Sequence, residues 1–380
     1  MIDHIATGIK ISEVQSESDL KRFIRFPEEL YAGNKNYVPL LRSEEIKTLS
    51  PDKNPAFEFC KAKYWLACRE GKTVGRVAGI INEKYNEFRK IKYARFGWLD
   101  FIDDYEVIEA LMQTVEDWAK DENMEFIHGP LGFCSFDASG ILIKGFHEMP
   151  TAFSHYNHEY YASLLEKVGY TKDIDWVEYN VKVPEQVPEK VIRATELIKK
   201  RYELHSATLN SKADILKYSD GIFQLLNSEY EGIYAFSQLS DKQIDNLKKQ
   251  FIAILQPEYV SIILDKNDKV IAFGITMPSL SRSLQMAHGN FMLFVLYRIL
   301  NVYQKTNTVD TLLIAVQKEY QNKGLTGIIF SDIIPVLIRN GIESIESTKE
   351  MEDNRSVNNL WHSYEHKQHK RTRCYVKRLS

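Results

Sequence analysis

The chain has 380 residues, and at roughly 150 residues per domain this length predicts two domains. Lysine and arginine total 49 against 52 for aspartate and glutamate, so the formal net charge of −3 excludes the broad positive field typical of many nucleic-acid-binding proteins. Hydrophobic residues make up 44% and charged residues 27%, which excludes a disordered chain. We therefore expect a globular protein with no nucleic-acid partner.

The cysteines and the apolar stretches bear on the cellular compartment. The four cysteines are Cys60, Cys68, Cys134 and Cys374. They are scattered and form no CxxC pair, so the sequence predicts neither a zinc ribbon nor a disulfide framework. The most apolar stretch, 291–300, contains Arg298 and is far shorter than the roughly 20 residues that a membrane span needs. We expect a cytoplasmic protein with no membrane partner.

The predicted elements of the first half begin with a hairpin over 63–82 that turns at Gly71. A helix and a strand follow over 106–128, and a second helix and strand begin at Leu164. Two prolines in the segment VPEQVPEKV, 183–191, end that last strand and introduce a further helix. The sequence therefore predicts a boundary near the middle of the chain.

The second half repeats this order. It has a hairpin over 258–278 with its turn at Asn267, a helix and a strand over 324–345, and a last helix and strand from Leu360. An offset of 196 residues relates both the hairpin turns and the final helices of the two halves. Chance similarity of hairpins is the alternative, but one shared offset favours a duplication. Alternating strands and helices predict a mixed sheet with helices on both faces.

One strand-to-helix turn is suited to chemistry. A near-continuous apolar run, 312–316, is typical of a buried strand, and a helix is predicted from Gly324 to a stop signal at 340–341. The turn at 321–327 therefore presents free backbone N–H groups and the positive end of a helix dipole, which suit a pyrophosphate. Gly324 and Gly327 allow a ligand to approach the backbone.

These residues resemble a known family. The GNAT superfamily of acyl-CoA-dependent N-acyltransferases has a Gln/Arg-x-x-Gly-x-Gly/Ala loop after its fourth strand. This chain reads Gln321-Asn322-Lys323-Gly324-Leu325-Thr326. The chain also resembles a second motif of this family, Asn-x-x-Ala-x-x-Leu-Tyr. Asn354, Val357, Leu360 and Trp361 fall at the four defined positions, with Val357 in place of the alanine and Trp361 in place of the tyrosine.

The resemblance implies an α/β protein of two tandem GNAT-like domains, each a mixed, mostly antiparallel sheet flanked by helices. We expect the domains at 1–183 and 205–380, joined by a linker and helix at 184–204. Only the second domain resembles the family at the phosphate loop. The first domain has Asp103, Asp104 and Glu106 at the equivalent turn, and these would repel a pyrophosphate. The whole chain resembles a bacterial tandem group in which one copy is degenerate.

The implied activity is N-acyl transfer from acetyl-CoA or another acyl-CoA to a small-molecule or peptide amine. The residues that the resemblance assigns to the acyl-CoA are Ile314, Ala315, Val316, Gln321, Asn322, Lys323, Gly324, Leu325, Thr326, Gly327 and Asn354.

The resemblance also implies that strands 312–316 and 342–347 splay, and that a base accepts the proton of the amine. Glu346 and Glu350, on or just after the second of these strands, are the candidate bases. Trp361 stands where a proton-donating tyrosine is usual, and an indole has no proton to transfer. Tyr364, one helical turn later, is the candidate acid.

Other features have competing interpretations. His362, His366 and His369 have an i, i+4, i+7 spacing that would suit a metal on a helix, but a helix-to-strand turn expected near His366 breaks it, and we expect no metal site. The basic segment 366–380 is interpreted as an edge strand rather than a phosphate contact. The segment 129–140 is either a binding loop or an interdomain connection, and 155–161 is core packing or the wall of a cleft.

Two other functions remain open. A Fem-type aminoacyl transferase that uses charged tRNA is disfavoured because the chain has no long helical arm and keeps part of the CoA loop. A non-catalytic binding protein is consistent with the departures at Thr326 and Trp361. The sequence leaves a homodimer open.

Overall fold

The computed structural model describes residues 2–4, 8–292, 306–354, 361 and 364–379. The first half contains, in chain order, β1 (Ile2–His4), β2 (Ile9–Glu13), α1 (Glu17–Leu30), α2 (Arg42–Leu49), β3 (Cys60–Arg69), β4 (Lys72–Asn82), α3 (Glu83–Arg89), β5 (Tyr93–Phe101), α4 (Tyr105–Asp121), β6 (Phe126–Gly129), β7 (Ile141–Lys144), α5 (Tyr160–Lys167) and β8 (Thr171–Lys182).

The second half contains, in chain order, α6 (Glu189–Tyr202), β9 (His205–Ser206), α7 (Lys212–Glu229), α8 (Asp241–Ile254), β10 (Val260–Leu264), β11 (Val270–Pro278), α9 (Ser281–Ala287), β12 (Thr308–Val316), α10 (Leu325–Arg339), β13 (Ser344–Glu346), β14 (Glu350–Met351) and β15 (His366–Arg378). Both predicted hairpins and both predicted helix-strand units are present. Among the described residues, no helix has the length and apolar character needed to cross a membrane.

The chain divides into two compact units that do not coincide with the sequence halves. Unit 1 comprises Met1–Val177, Leu280–Ile299 and His369–Ser380, and unit 2 comprises Glu178–Ser279 and Leu300–Gln368. These bounds differ from the predicted 1–183 and 205–380, because β8 and β15 each contribute to both units.

Unit 1 is a sheet in the order β1-β2-β3-β4-β5-β6-β15-β8, with β7 also paired to β15. Neighbours among β1 to β5 are antiparallel, and β5 and β6 form a parallel pair. The apolar face of α4 packs closely on this sheet, because a Cβ on Gly79 of β4 would lie 2.6 Å from the Trp118 ring. The core of unit 1 is therefore formed between α4 and the sheet.

The basic segment at the C-terminus is an interior strand, and its interpretation as an edge strand was wrong. β15 lies between β6 and β8, with Tyr375 opposite Gly129. Its Arg373 guanidinium donates to both carboxylate oxygens of the fully buried Asp175 in β8, at 2.8 and 3.1 Å. The charges of this segment therefore pair with a buried acid, which the local pattern of the sequence does not show.

Unit 2 repeats the arrangement with the order β9-β10-β11-β12-β13-β8. Its one described parallel pair is β12 with β13. The apolar stripe of α10 is buried, with members Leu325, Ile328, Ile329, Ile333 and Leu337. Gly274 of β11 allows this contact, because a Cβ there would lie 2.3 Å from Ile329. The predicted mixed sheet flanked by helices is confirmed in both units.

Candidate active site in unit 2

A fork opens between the two parallel strands of unit 2. β12 and β13 pair only from Thr308 opposite Ser344 to Asp310 opposite Glu346. At the fork, the Thr311 hydroxyl donates to the Glu346 carbonyl at 3.4 Å and accepts the Thr348 N–H at 3.2 Å. Beyond this point β12 continues to Val316 along β11, and no described strand pairs with its other edge.

The register of β12 identifies which backbone groups point toward that edge. Gln317 N–H donates to the Ile271 carbonyl at 2.9 Å, and bonded pairs alternate along antiparallel strands. Ala315, opposite Phe273, therefore turns its backbone groups toward β11, whereas Ile314 and Val316 turn theirs toward the open edge. Of the three predicted residues, Ile314 and Val316 can pair with an extended ligand, and Ala315 cannot do so through its backbone.

Two side chains already contact this edge. The Tyr230 hydroxyl, at the end of α7, donates to the Ile314 carbonyl at 3.0 Å. The Gln321 side-chain amide donates to the Val316 carbonyl at 3.1 Å and to Glu229 at 3.0 Å. Side chains can rotate away from a strand edge, so this edge is available to an extended ligand in a way that a backbone-paired edge is not.

The predicted loop leads directly into α10. Residues 321–324 are exposed, and Gly324 has a left-handed φ of 83° at the N-cap. A Cβ on Gly324 would lie 2.6 Å from Ile198, whereas one on Gly327 would have no neighbour within 4 Å. The Gly327 N–H donates to the Gly324 carbonyl at 3.0 Å, so the open space at Gly327 and the preceding N–H groups at the start of α10 together suit an anion.

The other predicted loop residues divide by burial. Leu325 is buried in the core, so only its backbone is available to a ligand, and Thr326 is half-buried. Asn322 has a left-handed φ of 59°. The Lys323 ammonium lies over the Tyr202 and Tyr320 rings, at 5.2 and 5.4 Å from their centroids. This places one cation beside the helix N-terminus.

Glu350 is the predicted base with the more suitable surroundings. Burial raises its pKa to about 7, although the hydrogen bond from Trp361 lowers it, and the charge of Glu178 adds to the rise. The Trp361 indole donates to Glu350 Oε1 at 2.8 Å, and Oε2 has no hydrogen-bond partner among the described residues. A buried carboxylate with one unbonded oxygen and a pKa near neutrality can accept a proton.

Glu346, the other predicted base, is held differently. Asn180 donates its side-chain amide to Glu346 Oε1 at 2.6 Å. Its register partner in β12 is Asp310, whose side chain is completely buried. Sequence reasoning missed Asp310, and the available signal was a single carboxylate at the start of an otherwise apolar strand.

Trp361 and Tyr364 share a neighbouring ring and are joined by one backbone hydrogen bond. The Phe330 ring of α10 lies 5.4 Å from the Trp361 ring and 6.2 Å from the Tyr364 ring. The Tyr364 N–H donates to the Trp361 carbonyl at 2.9 Å, and burial raises the pKa of Tyr364. The buried Trp361 indole donates its N–H to Glu350, which fixes its hydrogen-bond partner in the site.

The remaining predicted positions lie apart from these contacts. Asn354 donates its backbone N–H to the Met351 carbonyl at 3.0 Å, and Val357 and Leu360 lie outside the described residues. His366 and His369 lie on strand β15, so the helical alignment considered for them is wrong, and His362 lies outside the described residues.

The corresponding fork of unit 1 is filled by its own chain. β5 and β6 pair only from Tyr93 to Arg95. Leu131 then donates its N–H to the Phe96 carbonyl at 2.8 Å, and a Cβ on Gly97 would lie 2.4 Å from the Leu131 carbonyl oxygen. The first residues of 129–140 therefore form part of the packing of unit 1, and the choice between a binding loop and an interdomain connection stays open.

The helix after this fork is also closed to an anion. The Asp104 carboxylate caps α4 by accepting the N–H of Glu106 at 2.9 Å, and it forms an ion pair with Arg69 at 2.6 Å. The N-terminal N–H groups of α4 therefore contact the chain's own negative charge. That unit 1 binds no phosphate at this turn stays a prediction.

Two curated proteins are similar to the chain in sequence. Protein YghO of Escherichia coli strain K12 is 26% identical over 373 residues, which cover 96% of this chain and 94% of YghO. Bacterial ceramide synthase of Caulobacter vibrioides is 24% identical over 262 residues, which cover 68% of this chain and 67% of the synthase. No protein-family model matches the chain.

Solved structures are similar over nearly the whole chain. A tandem GNAT protein from the clavulanic acid biosynthesis pathway, solved without AcCoA, has a TM-score of 0.55 at 11% identity and covers 98% of this chain and 99% of its own. A GCN5-related N-acetyltransferase from Sphaerobacter thermophilus has a TM-score of 0.51 at 10% identity, covering 98% and 96%. The chain therefore has the fold of tandem GNAT proteins, and the resemblance stated from the sequence is confirmed at the level of the fold.

Proposed function

We propose that the protein is an acyl-CoA-dependent N-acyltransferase whose acyl-CoA site is the fork of unit 2. The observation that supports this most is the combination of an open β12 edge, at Ile314 and Val316, with the exposed N-terminus of the 15-residue helix α10. An acyl-CoA has an extended amide-containing arm and a pyrophosphate, and these two features are suited to a strand edge and a helix N-terminus, respectively.

The residues of unit 2 also supply proton-transfer groups. In the proposed reaction, Glu350 accepts a proton from the acceptor amine, and the Trp361 indole holds the carboxylate in place. Tyr364, the acid predicted from the sequence, donates a proton to the departing thiolate. Tyr230 is a rival donor, because its hydroxyl contacts the open edge and burial raises its pKa to about 12, which keeps it protonated.

The similarity to bacterial ceramide synthase suggests an acceptor class. A ceramide is the amide of a fatty acid with a long-chain amino alcohol, so its synthesis is an N-acylation. We therefore propose a long-chain amino alcohol as the acceptor and a fatty acyl-CoA, besides acetyl-CoA, as the donor. No feature of the described residues of unit 2 favours a charged tRNA, so we do not propose the Fem-type alternative.

The test combines binding and turnover. Calorimetric titration with acetyl-CoA and palmitoyl-CoA should show binding to the wild type and at least about tenfold weaker binding to Gly327→Asp, because a carboxylate would then lie beside the pyrophosphate. Mass spectrometry should detect N-acylated sphinganine when the bound donor is incubated with that amine.

The control is Gly327→Ala, since a Cβ fits at this position without a clash. Equal affinity of the wild type and Gly327→Asp, or no binding to the wild type, would remove the cofactor assignment. Binding without turnover on any amine tested would favour the non-catalytic alternative.

A further inference from the structure

Unit 1 contains a small polar cavity of about 20 Å³. This volume admits a group of the size of one water molecule. Its walls come from α1, α2, the segment between them, β4, β5 and the segment 155–156. The polar and aromatic side chains in these walls are Glu28, Tyr31, Tyr37, Glu45, Arg76, Asp100, His155 and Tyr156.

The carboxylates of the cavity are unequally paired. Arg76 binds Asp100, with Nε and Nη2 at 2.8 and 2.7 Å from Oδ2. Glu28 is paired with Arg42, whose Nε donates to Oε1 at 2.7 Å. Glu45 has no ion pair among the described residues, although it is about as buried as Asp100, with 9% of its surface exposed. The cavity is therefore short of one positive charge.

Glu45 also has an unused acceptor. Its Oε2 accepts the Trp98 indole N–H at 2.7 Å, whereas its Oε1 accepts no hydrogen bond from the described residues. Oε1 is therefore available to accept a hydrogen bond from a ligand in the cavity, and a group that supplies both a donor and a positive charge would suit it.

Aromatic rings complete the wall. Tyr31 stacks on Tyr37 at 4.6 Å between centroids, and Tyr156 meets Tyr31 edge-on at 5.7 Å. The Tyr31 hydroxyl is committed to Asp100 at 2.8 Å. Faces of tyrosine rings attract cations through their quadrupole, so the rings add to the preference for positive charge.

We infer that this cavity binds the primary ammonium group of a ligand, with Glu45 as its anionic partner. The small volume favours –NH3+ over a quaternary ammonium, and an ammonium supplies donors that Glu45 Oε1 can accept. The site lies wholly within unit 1 and is argued without reference to acyl transfer. The ammonium site and the acyl-CoA site in unit 2 are therefore independent proposals.

The experiment compares two probes of nearly equal shape, ethanolamine and ethylene glycol, which differ by an ammonium in place of a hydroxyl. The reporter is the indole N–H resonance of Trp98 in a ¹H–¹⁵N spectrum of the full-length protein, identified by its loss in Trp98→Phe. Ethanolamine should shift this resonance saturably, and ethylene glycol should not. No CoA is present, so failure here is distinct from failure of the proposed function.

Glu45→Gln should weaken ethanolamine binding at least tenfold, while it retains an oxygen that can accept from Trp98. The matched control is Glu44→Gln, since the neighbouring Glu44 is exposed and paired with Lys47 at 2.8 Å. Equal affinity in Glu45→Gln, equal binding of ethylene glycol, or no saturable shift in the wild type would overturn the assignment. If Glu45→Gln fails to fold, the comparison of the two probes on the wild type decides alone.

Discussion

At the scale of single residues, the environment of Glu350 decides its chemistry. Burial raises the pKa of Glu350 to about 7, so at neutral pH the carboxylate and the acid are both populated. The deprotonated form is the one that can act as a base. We predict that kcat/KM rises with pH through about 7, which forms an acid limb in the pH–rate profile. Glu350→Gln should remove this limb and lower the rate by about 10²-fold or more. Initial rates across the neutral pH range provide the measurement.

Two variants separate a base from a merely structural carboxylate. Trp361→Phe removes a hydrogen bond that stabilises the charged form of Glu350, so the limb should move to higher pH while the maximal rate is largely kept. Glu343→Gln, at an exposed glutamate, should leave the profile unchanged. A limb that survives in Glu350→Gln would mean that another group titrates.

The proton donor is a second question at this scale. We predict that Tyr364→Phe lowers kcat by about 10²-fold at unchanged acyl-CoA affinity, because a phenol can protonate a thiolate and phenylalanine cannot. Tyr230→Phe is the matched comparison, since it removes a hydroxyl from the open edge at Ile314. Full turnover in Tyr364→Phe together with a loss in Tyr230→Phe would transfer the role to Tyr230.

The sequence could suggest these residues only in part. Glu350 was found because it follows a predicted strand, and that reasoning is local. Its indole partner is 11 residues away across a turn, and the Tyr230 contact joins residues 84 apart. Contacts of this kind depend on how helices and loops pack, which no pattern of spacing contains.

At the scale of elements, the parallel strand pairs of the two units are equivalent in order but differ at the strand edge beyond the fork. In unit 2 the edge beyond the fork is touched by the side chains of Tyr230 and Gln321, and in unit 1 it is paired with the backbone of Leu131. The acidic turn predicted the loss of the phosphate loop in unit 1, but the filling of its fork was not predicted, because the glycines and aromatics of 129–140 have no period.

The last strand was predicted, but its neighbours were not. A helix-to-strand turn was expected near His366, and His366 and His369 both lie on β15. The pairing of β15 with β6 and β8 depends on long-range context, which the sequence pattern does not contain. By contrast, α10 was predicted to begin near Gly324 and to end at the Asn340 and Gly341 stop signal, because its apolar stripe and end signals are local.

At the scale of the whole molecule, the sequence revealed a duplication but not which segments complete each sheet. The offset of 196 residues correctly indicated two copies of one arrangement. The final strand of the chain nevertheless lies in the sheet of unit 1, between β6 and β8. Long-range strand pairing of this kind leaves no trace in local composition, so the edge-strand interpretation failed.

This arrangement predicts that a fragment of residues 1–190 will not fold by itself. It lacks β15, so β6 loses its antiparallel partner and keeps only β5. The fully buried Asp175 loses both Arg371 and Arg373 and keeps the Lys172 ammonium at 3.3 Å. Removing a partner of a buried charge costs about 3–5 kcal/mol, which is a large part of the stability of a typical domain. Circular dichroism and limited proteolysis should show a largely unfolded fragment, and the same fragment fused through a flexible linker to 366–379 should be more protected. Cooperative unfolding of 1–190 alone, at a temperature equal to that of the fused form, would mean that β15 is dispensable for unit 1.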